Sequence, residues 1–155
     1  MRGLLSGLGL MVGLGVLLVW SEPGVAGASA ASADEDAVRA AVLDYVEGVY
    51  EVDPSRIERS VHPSLRKIGW VRRADGSWGT APMTFEQLRD LAGQWNADGH
   101  LADDAPKEIT VLDVLDQTAS AKLVADWGVD YFHLARIDGR WQIVNVAWQT
   151  PPETD

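Results

Sequence analysis

The chain contains no cysteine, so neither a disulfide nor a thiol-linked lipid can hold or anchor it, and the folded part must rest on its core alone. Histidine is nearly as scarce, and positions 62, 100 and 133 have no metal-ligand spacing. The acidic stretch from Asp98 to Asp104 lacks the regularly alternating oxygens of a calcium loop and reads as solvated surface. Glycine-rich phosphate loops and the G-x-S-x-G elbow are missing too, which argues against nucleotide and serine hydrolysis. No metal or cofactor is expected. Positive charge is also short, with 13 Lys and Arg against 23 Asp and Glu and a net charge of −10. Phosphate backbones and anionic lipid surfaces would repel such a chain, so neither nucleic acid nor a membrane surface is an expected partner.

What the sequence does have is enough apolar material for one domain: 155 residues, 46% of them hydrophobic. It opens with Met-Arg-Gly, an uncharged apolar run from Leu4 to Trp20, then Ser-Glu-Pro-Gly and the small-residue string Ala28-Ser-Ala-Ala-Ser-Ala33. A basic start, an apolar middle and A-x-A sites are the order of a cleavable export signal. A run of roughly 17 residues is also just long enough for a permanent membrane anchor; its glycines and the A-x-A repeats favour cleavage. The expected division is a signal peptide over 1–33, cut among Ala28–Ala33, a domain over 34–150 and a short tail over 151–155. The product would be periplasmic or secreted, free of the membrane and as acidic as its precursor, because Arg2 and Glu22 cancel.

Ser32-x-x-Glu35 predicts a capping box, and Val38, Ala41, Val42, Tyr45, Val46, Val49 and Tyr50 follow at spacings of three and four, predicting an amphipathic helix over about 34–52. Asp53-Pro54 opens a short second helix with Ile57, Val61 and Leu65 on its apolar face, ended by His62-Pro63. Asp75-Gly76 suggests a small hairpin within residues 66–79. Thr84-x-x-Gln87 caps a third helix carrying Phe85, Leu88, Leu91, Ala92 and Trp95, followed by a polar loop from Asn96 to Pro106. The rest reads as strands: Lys107–Leu115, Ala119–Asp126, and a final hairpin turning at Asp138-Gly139. Helices followed by antiparallel strands make an α+β fold with the helices on one face of the sheet.

In a regular two-residue hairpin Leu134 pairs with Ile143, His133 with Val144, Phe132 with Asn145 and Asp130 with Ala147. Asp130, Phe132, Leu134, Trp141, Ile143 and Asn145 then share one face, and Tyr131, His133, Val144, Val146 and Trp148 the other. A β-bulge would reset that parity. Both faces are apolar, so a second subunit is expected to cover the outer one.

A helix carrying Tyr45-x4-Tyr50-x2-Asp53, the step Val61-His62-Pro63 and the closing DYFHLARIDGRWQIVNVAW hairpin together resemble the putative lumazine-binding branch of the NTF2-like superfamily. This is the cystatin-like α+β cone shared with SnoaL-like proteins and ketosteroid isomerases. The resemblance spans roughly residues 35–150. It implies three N-terminal helices packed on a strongly curved antiparallel sheet, a deep pocket between them, and a homodimer formed through the outer sheet face. In the isomerases a helix-one tyrosine donates a hydrogen bond to an oxyanion, and Tyr45 holds the similar place. Their general-base aspartate would fall near Gly69-Trp70, where this chain has no carboxylate, so the resemblance implies no complete catalytic set.

The residues expected to line or rim a pocket are Tyr45, His62, Trp70, Trp95, Asp130 and Asn145. His62 is placed either to serve a ligand as acid, base or donor or simply to face a helix C-terminus. Asp130 and Asn145 either orient a ligand or satisfy backbone groups, while His133 belongs with the outer face. Trp70, Trp95 and Trp127 offer stacking walls or ordinary core. The leading expectation is an exported domain that binds a small, aromatic or apolar molecule. One alternative is a cofactor-free SnoaL-like isomerase, dehydratase or cyclase with Asp130 or His62 as acid/base and Tyr45 as donor. Another is a protein-interaction module whose cavity is filled by its own side chains.

Overall fold

A computed structural model describes residues 24–151; the apolar run Leu4–Trp20 and the end of the tail lie outside the described residues. The chain is a mixed α+β fold, three helices on a curved six-stranded sheet. In sequence the elements are α1 (Gly24–Tyr50), α2 (Pro54–Ser60), β1 (Val61–Arg72), β2 (Trp78–Met83), α3 (Phe85–Ala92), β3 (Lys107–Val114), β4 (Thr118–Ala125), β5 (Gly128–Ile137) and β6 (Arg140–Gln149). Two expectations need correction. The helices are not all N-terminal, because β1 and β2 precede α3. Nor is the sheet wholly antiparallel: its order is β2-β1-β6-β5-β4-β3, and β1 runs parallel to β6.

Helix α1 begins at Gly24 rather than near residue 34, so Ser32 and Glu35 lie inside it and form no cap. Alanine-rich residues 26–33 favour helix, and no proline after Pro23 interrupts them. The predicted apolar face is the observed one: Val38, Val42, Tyr45 and Val46 are sealed against the sheet. Among the described residues no helix is long and apolar enough to cross a membrane. The α1 to α2 corner turns on Val52, held at φ 59°, an unusual conformation for a β-branched residue. Asp53 then caps α2 by accepting from the Ser55 backbone N–H at 3.0 Å.

Helix α2 ends at Ser60, earlier than expected, and His62-Pro63 sits in the first residues of β1. Proline forces its predecessor to extended angles, which end a helix and suit a strand equally well. Strand β1 alternates, with Leu65, Lys67 and Gly69 buried and Arg66 and Trp70 exposed. Its hairpin with β2 pairs Arg72 with Trp78 around the predicted Asp75-Gly76 turn. The Thr84/Gln87 capping box forms in both directions, at 3.3 and 2.9 Å.

The final hairpin turns at Asp138 (φ 50°) and Gly139 (φ 77°), as a type I′ turn requires. Its ladder slips once: Leu134 pairs with Ile143 but His133 pairs with Asn145, leaving Val144 as the extra residue of a β-bulge. Beyond the bulge Phe132 faces Val146 and Asp130 faces Trp148. The face assignment expected for a regular ladder is therefore overturned for everything after Val144. Asn145 goes to the outer face beside His133, and Trp148 comes to the inner face beside Asp130.

Candidate functional site

Inside the cone, Tyr45 from α1, Lys67 from β1 and Asp130 from β5 meet, although the sheet interior is otherwise apolar. The Lys67 and Asp130 side chains are 5% and 0% exposed. Lys67 Nζ donates to Tyr45 Oη at 2.5 Å and to Asp130 Oδ1 at 3.2 Å. Tyr45 Oη donates to the same Oδ1 at 3.4 Å, and Trp127 Nε1, from the β4–β5 turn, donates to Oδ2 at 2.5 Å. Three donors thus satisfy one buried carboxylate, as burial of an unpaired charge would otherwise be prohibitive.

The electrostatics follow from this enclosure. Burial, helped by the Asp130 carboxylate, holds the Tyr45 phenol well above its ordinary value, so it stays protonated. Burial also pulls Lys67 below the usual lysine value, with Asp130 opposing the shift. The Lys67 ammonium lies 5.2 Å from the centroid of the Tyr45 ring and 5.3 Å from that of Trp148, within cation–π range of both.

In front of the cluster is a partly open cavity of about 90 Å³, bounded by Tyr45, Lys67, Trp95, Trp127 and Trp148 with Met83 and aliphatic groups of α3. Trp95 stacks on Tyr50 at 5.8 Å, and Trp127 meets Tyr50 and Trp95 edge-on at 5.4 and 5.5 Å, a continuous aromatic wall. Tyr50 secures it, donating to the Pro106 carbonyl and accepting from the Asp126 N–H, both at 2.8 Å. Larger depressions exist, such as the groove of about 560 Å³ between α1 and β3, but its polar lining among the described residues, including Asp34 paired with Arg136, is only part-buried.

Of the expected pocket residues, the structure brings together Tyr45, Trp95 and Asp130. The other three lie elsewhere. His62 is half-buried at the start of β1, its Nδ1 2.7 Å from Ser64 Oγ. Trp70 is 41% exposed because the β1 alternation turns its neighbour Gly69 inward instead. Asn145, displaced by the bulge, donates to the Arg66 carbonyl at 3.0 Å and pairs with His133 Nδ1 at 3.2 Å.

Sequence reasoning missed Lys67 and Trp148. A readable signal was Leu65-x-Lys67-x-Gly69, one face of a strand. A Cβ on Gly69 would lie 2.2 Å from the Trp148 indole, so only glycine lets that ring lie across β1 beside the lysine.

A family model described as "Putative lumazine-binding" matches residues 33–149. Solved structures agree on the fold. An NTF2-like protein of unknown function from Shewanella baltica OS155 is 19% identical with a TM-score of 0.62, the match covering 79% of this chain and 97% of that one. An NTF2-like protein with a cystatin-like fold from Novosphingobium aromaticivorans is 14% identical with a TM-score of 0.62, over 88% and 94% of the two chains. A further structure from N. aromaticivorans, described as a putative scytalone dehydratase, is 12% identical with a TM-score of 0.52, over 83% and 91%. No curated protein sequence matches the chain. Fold and family match agree, and the chain belongs to the putative lumazine-binding family of NTF2-like domains.

Proposed function

We propose that the protein is an exported NTF2-like domain that binds a small molecule in the cavity between α1, α3 and the sheet. The observation that carries this reading is the convergence of Lys67, Tyr45 and the Trp95–Trp127–Trp148 wall on one space, apolar sides with a polar end. About 90 Å³ is far below the ~300–1,000 Å³ of sites for drug-sized ligands. This narrows the expected aromatic or apolar ligand to one with few heavy atoms, or to the tip of a larger molecule. The polar groups facing the space donate. Asp130, the acceptor, stands behind Lys67 and does not line the cavity. A neutral ligand bearing an acceptor oxygen fits best, because the Lys67 charge already has its counter-ion.

Native mass spectrometry of the processed protein from its own host tests the reading: a retained small mass, lost in Lys67→Met, is the expected result, and an empty protein under gentle conditions would sink it. A second reading, a cofactor-free enzyme, is favoured by the Tyr45–Asp130 hydrogen bond, which joins a phenol donor to a carboxylate. Under that reading Asp130→Asn abolishes turnover and leaves ligand affinity largely intact.

A further inference from the structure

We propose that Lys67 is an amine nucleophile that captures a short, neutral aldehyde or ketone as an imine. The inference rests on the binding reading above and adds a covalent step to it. Lysine becomes nucleophilic when desolvation favours its neutral form and a base can take its proton. Lys67 is buried at the end of an aromatic-walled cavity, and Asp130 Oδ1 lies 3.2 Å from Nζ to receive that proton. Tyr45 Oη touches both, 2.5 Å from Nζ and 3.4 Å from Oδ1, so it can pass a proton between carboxylate and substrate oxygen. Its burial keeps the phenol protonated for that purpose, and burial pulls Lys67 towards the neutral amine.

The chemistry balances without a further reactant. The ammonium gives a proton to Asp130, the freed lone pair bonds to the carbonyl carbon, and the carbonyl oxygen takes up a proton through Tyr45. The resulting carbinolamine loses its hydroxyl as water when the C=N bond forms. Overall, ammonium plus carbonyl gives iminium plus water, with Asp130 again a carboxylate. The iminium would sit where the ammonium sits now, between the Tyr45 and Trp148 rings and beside Asp130. Size sets the substrate class. A space of about 90 Å³ equals roughly three waters at about 30 Å³ each, so two or three carbons and a carbonyl oxygen fill it.

The sequence supplies its own controls, since its only lysines are 67, 107 and 122. Lys107 is exposed and Lys122 half-exposed. The folded protein is treated with propanal and sodium cyanoborohydride at neutral pH, and the reduced adducts are located by peptide mapping. The expected result is labelling of Lys67 about tenfold faster than of Lys107 and Lys122, since a carbonyl seated in the cavity lies beside Lys67 alone. Unfolding in urea should abolish the difference, which keeps the test independent of any variant's folding. Labelling of Lys107 and Lys122 with Lys67 unmodified in the folded protein would overturn the proposal and leave a structural ion pair. Quenching of tryptophan fluorescence by propanal without an adduct at Lys67 would also overturn it, while leaving the binding reading intact.

Discussion

At the scale of single residues, the Lys67–Asp130 pair carries the largest energetic stake. Removing one partner from a buried ion pair typically costs about 3–5 kcal/mol, because the other charge is stranded, whereas replacing both with apolar groups can be nearly neutral. Asp130→Ala should therefore lower the urea midpoint sharply. The double variant Lys67→Met/Asp130→Leu should recover most of the loss, and a simple sum of the two single effects would contradict the coupling. Tyr45 adds a pH signature. Its folded pKa is raised by burial and then by Asp130 above the ordinary phenol value, so its contribution to stability is whole below that value. The contribution declines as pH rises past the unfolded value towards the folded one. Absorbance titration should show phenolate absorbance that appears only on alkaline unfolding, and Tyr45→Phe should reduce it to the part due to Tyr50, whose phenol burial also raises. Tyr45 and Asp130 were legible in the sequence because helical spacing and strand alternation put each on an inward face. Lys67 was not, since the adjacent Arg66 and Lys67 are equally soluble side chains and the pairing of β1 with β6, which decides between them, is non-local.

At the scale of elements, the sequence-readable parts are those fixed by local chemistry: the Thr84 box, the Asp53-Pro54 start and the Asp138-Gly139 turn all form where expected. Thr84→Ala should cost about 1 kcal/mol of stability through loss of the α3 cap, measurable by urea denaturation. What could not be read is how strands find partners at a distance: the parallel joining of β1 to β6 and the bulge at Val144 depend on the closed cone rather than on neighbours in sequence. The crossing of Trp148 over β1 is one such contact. Gly69→Ala would drive a methyl into the indole and should destabilise the fold by about 1–3 kcal/mol while shifting tryptophan emission as Trp148 is displaced. An unchanged spectrum would mean the ring is not held there. Away from the cavity, Arg56 ties α2 to α1 through Asp44, Glu47 and Glu51, so that the long helix and the corner after it hold one position over the sheet.

At the scale of the whole molecule, the outer sheet face displays Tyr131, 51% exposed, with His133 and Asn145 joined beside it. We propose this face as the contact of a homodimer centred on the exposed Tyr131 ring, more polar than a regular ladder predicts because the bulge takes Val146 and Trp148 away from it. Sedimentation equilibrium should give twice the chain mass, and Tyr131→Lys should shift it to the monomer; a monomer for the parent protein would refute the pairing. The two faces of the sheet owe their assignments to Val144. One supernumerary residue makes β6 behave like a text read in two frames: Trp141 and Ile143 point inward in the first, Val146 and Trp148 in the second. Pairing Val144 opposite His133, with no bulge, would restore a single frame, carrying Asn145 into the cone and Trp148 out to the surface. The cavity would lose an aromatic wall and the outer face would lose the partner of His133 in the same event. A one-residue slip of β6 at that position can therefore rewrite the inside and the outside of the protein together, without touching any residue that does chemistry.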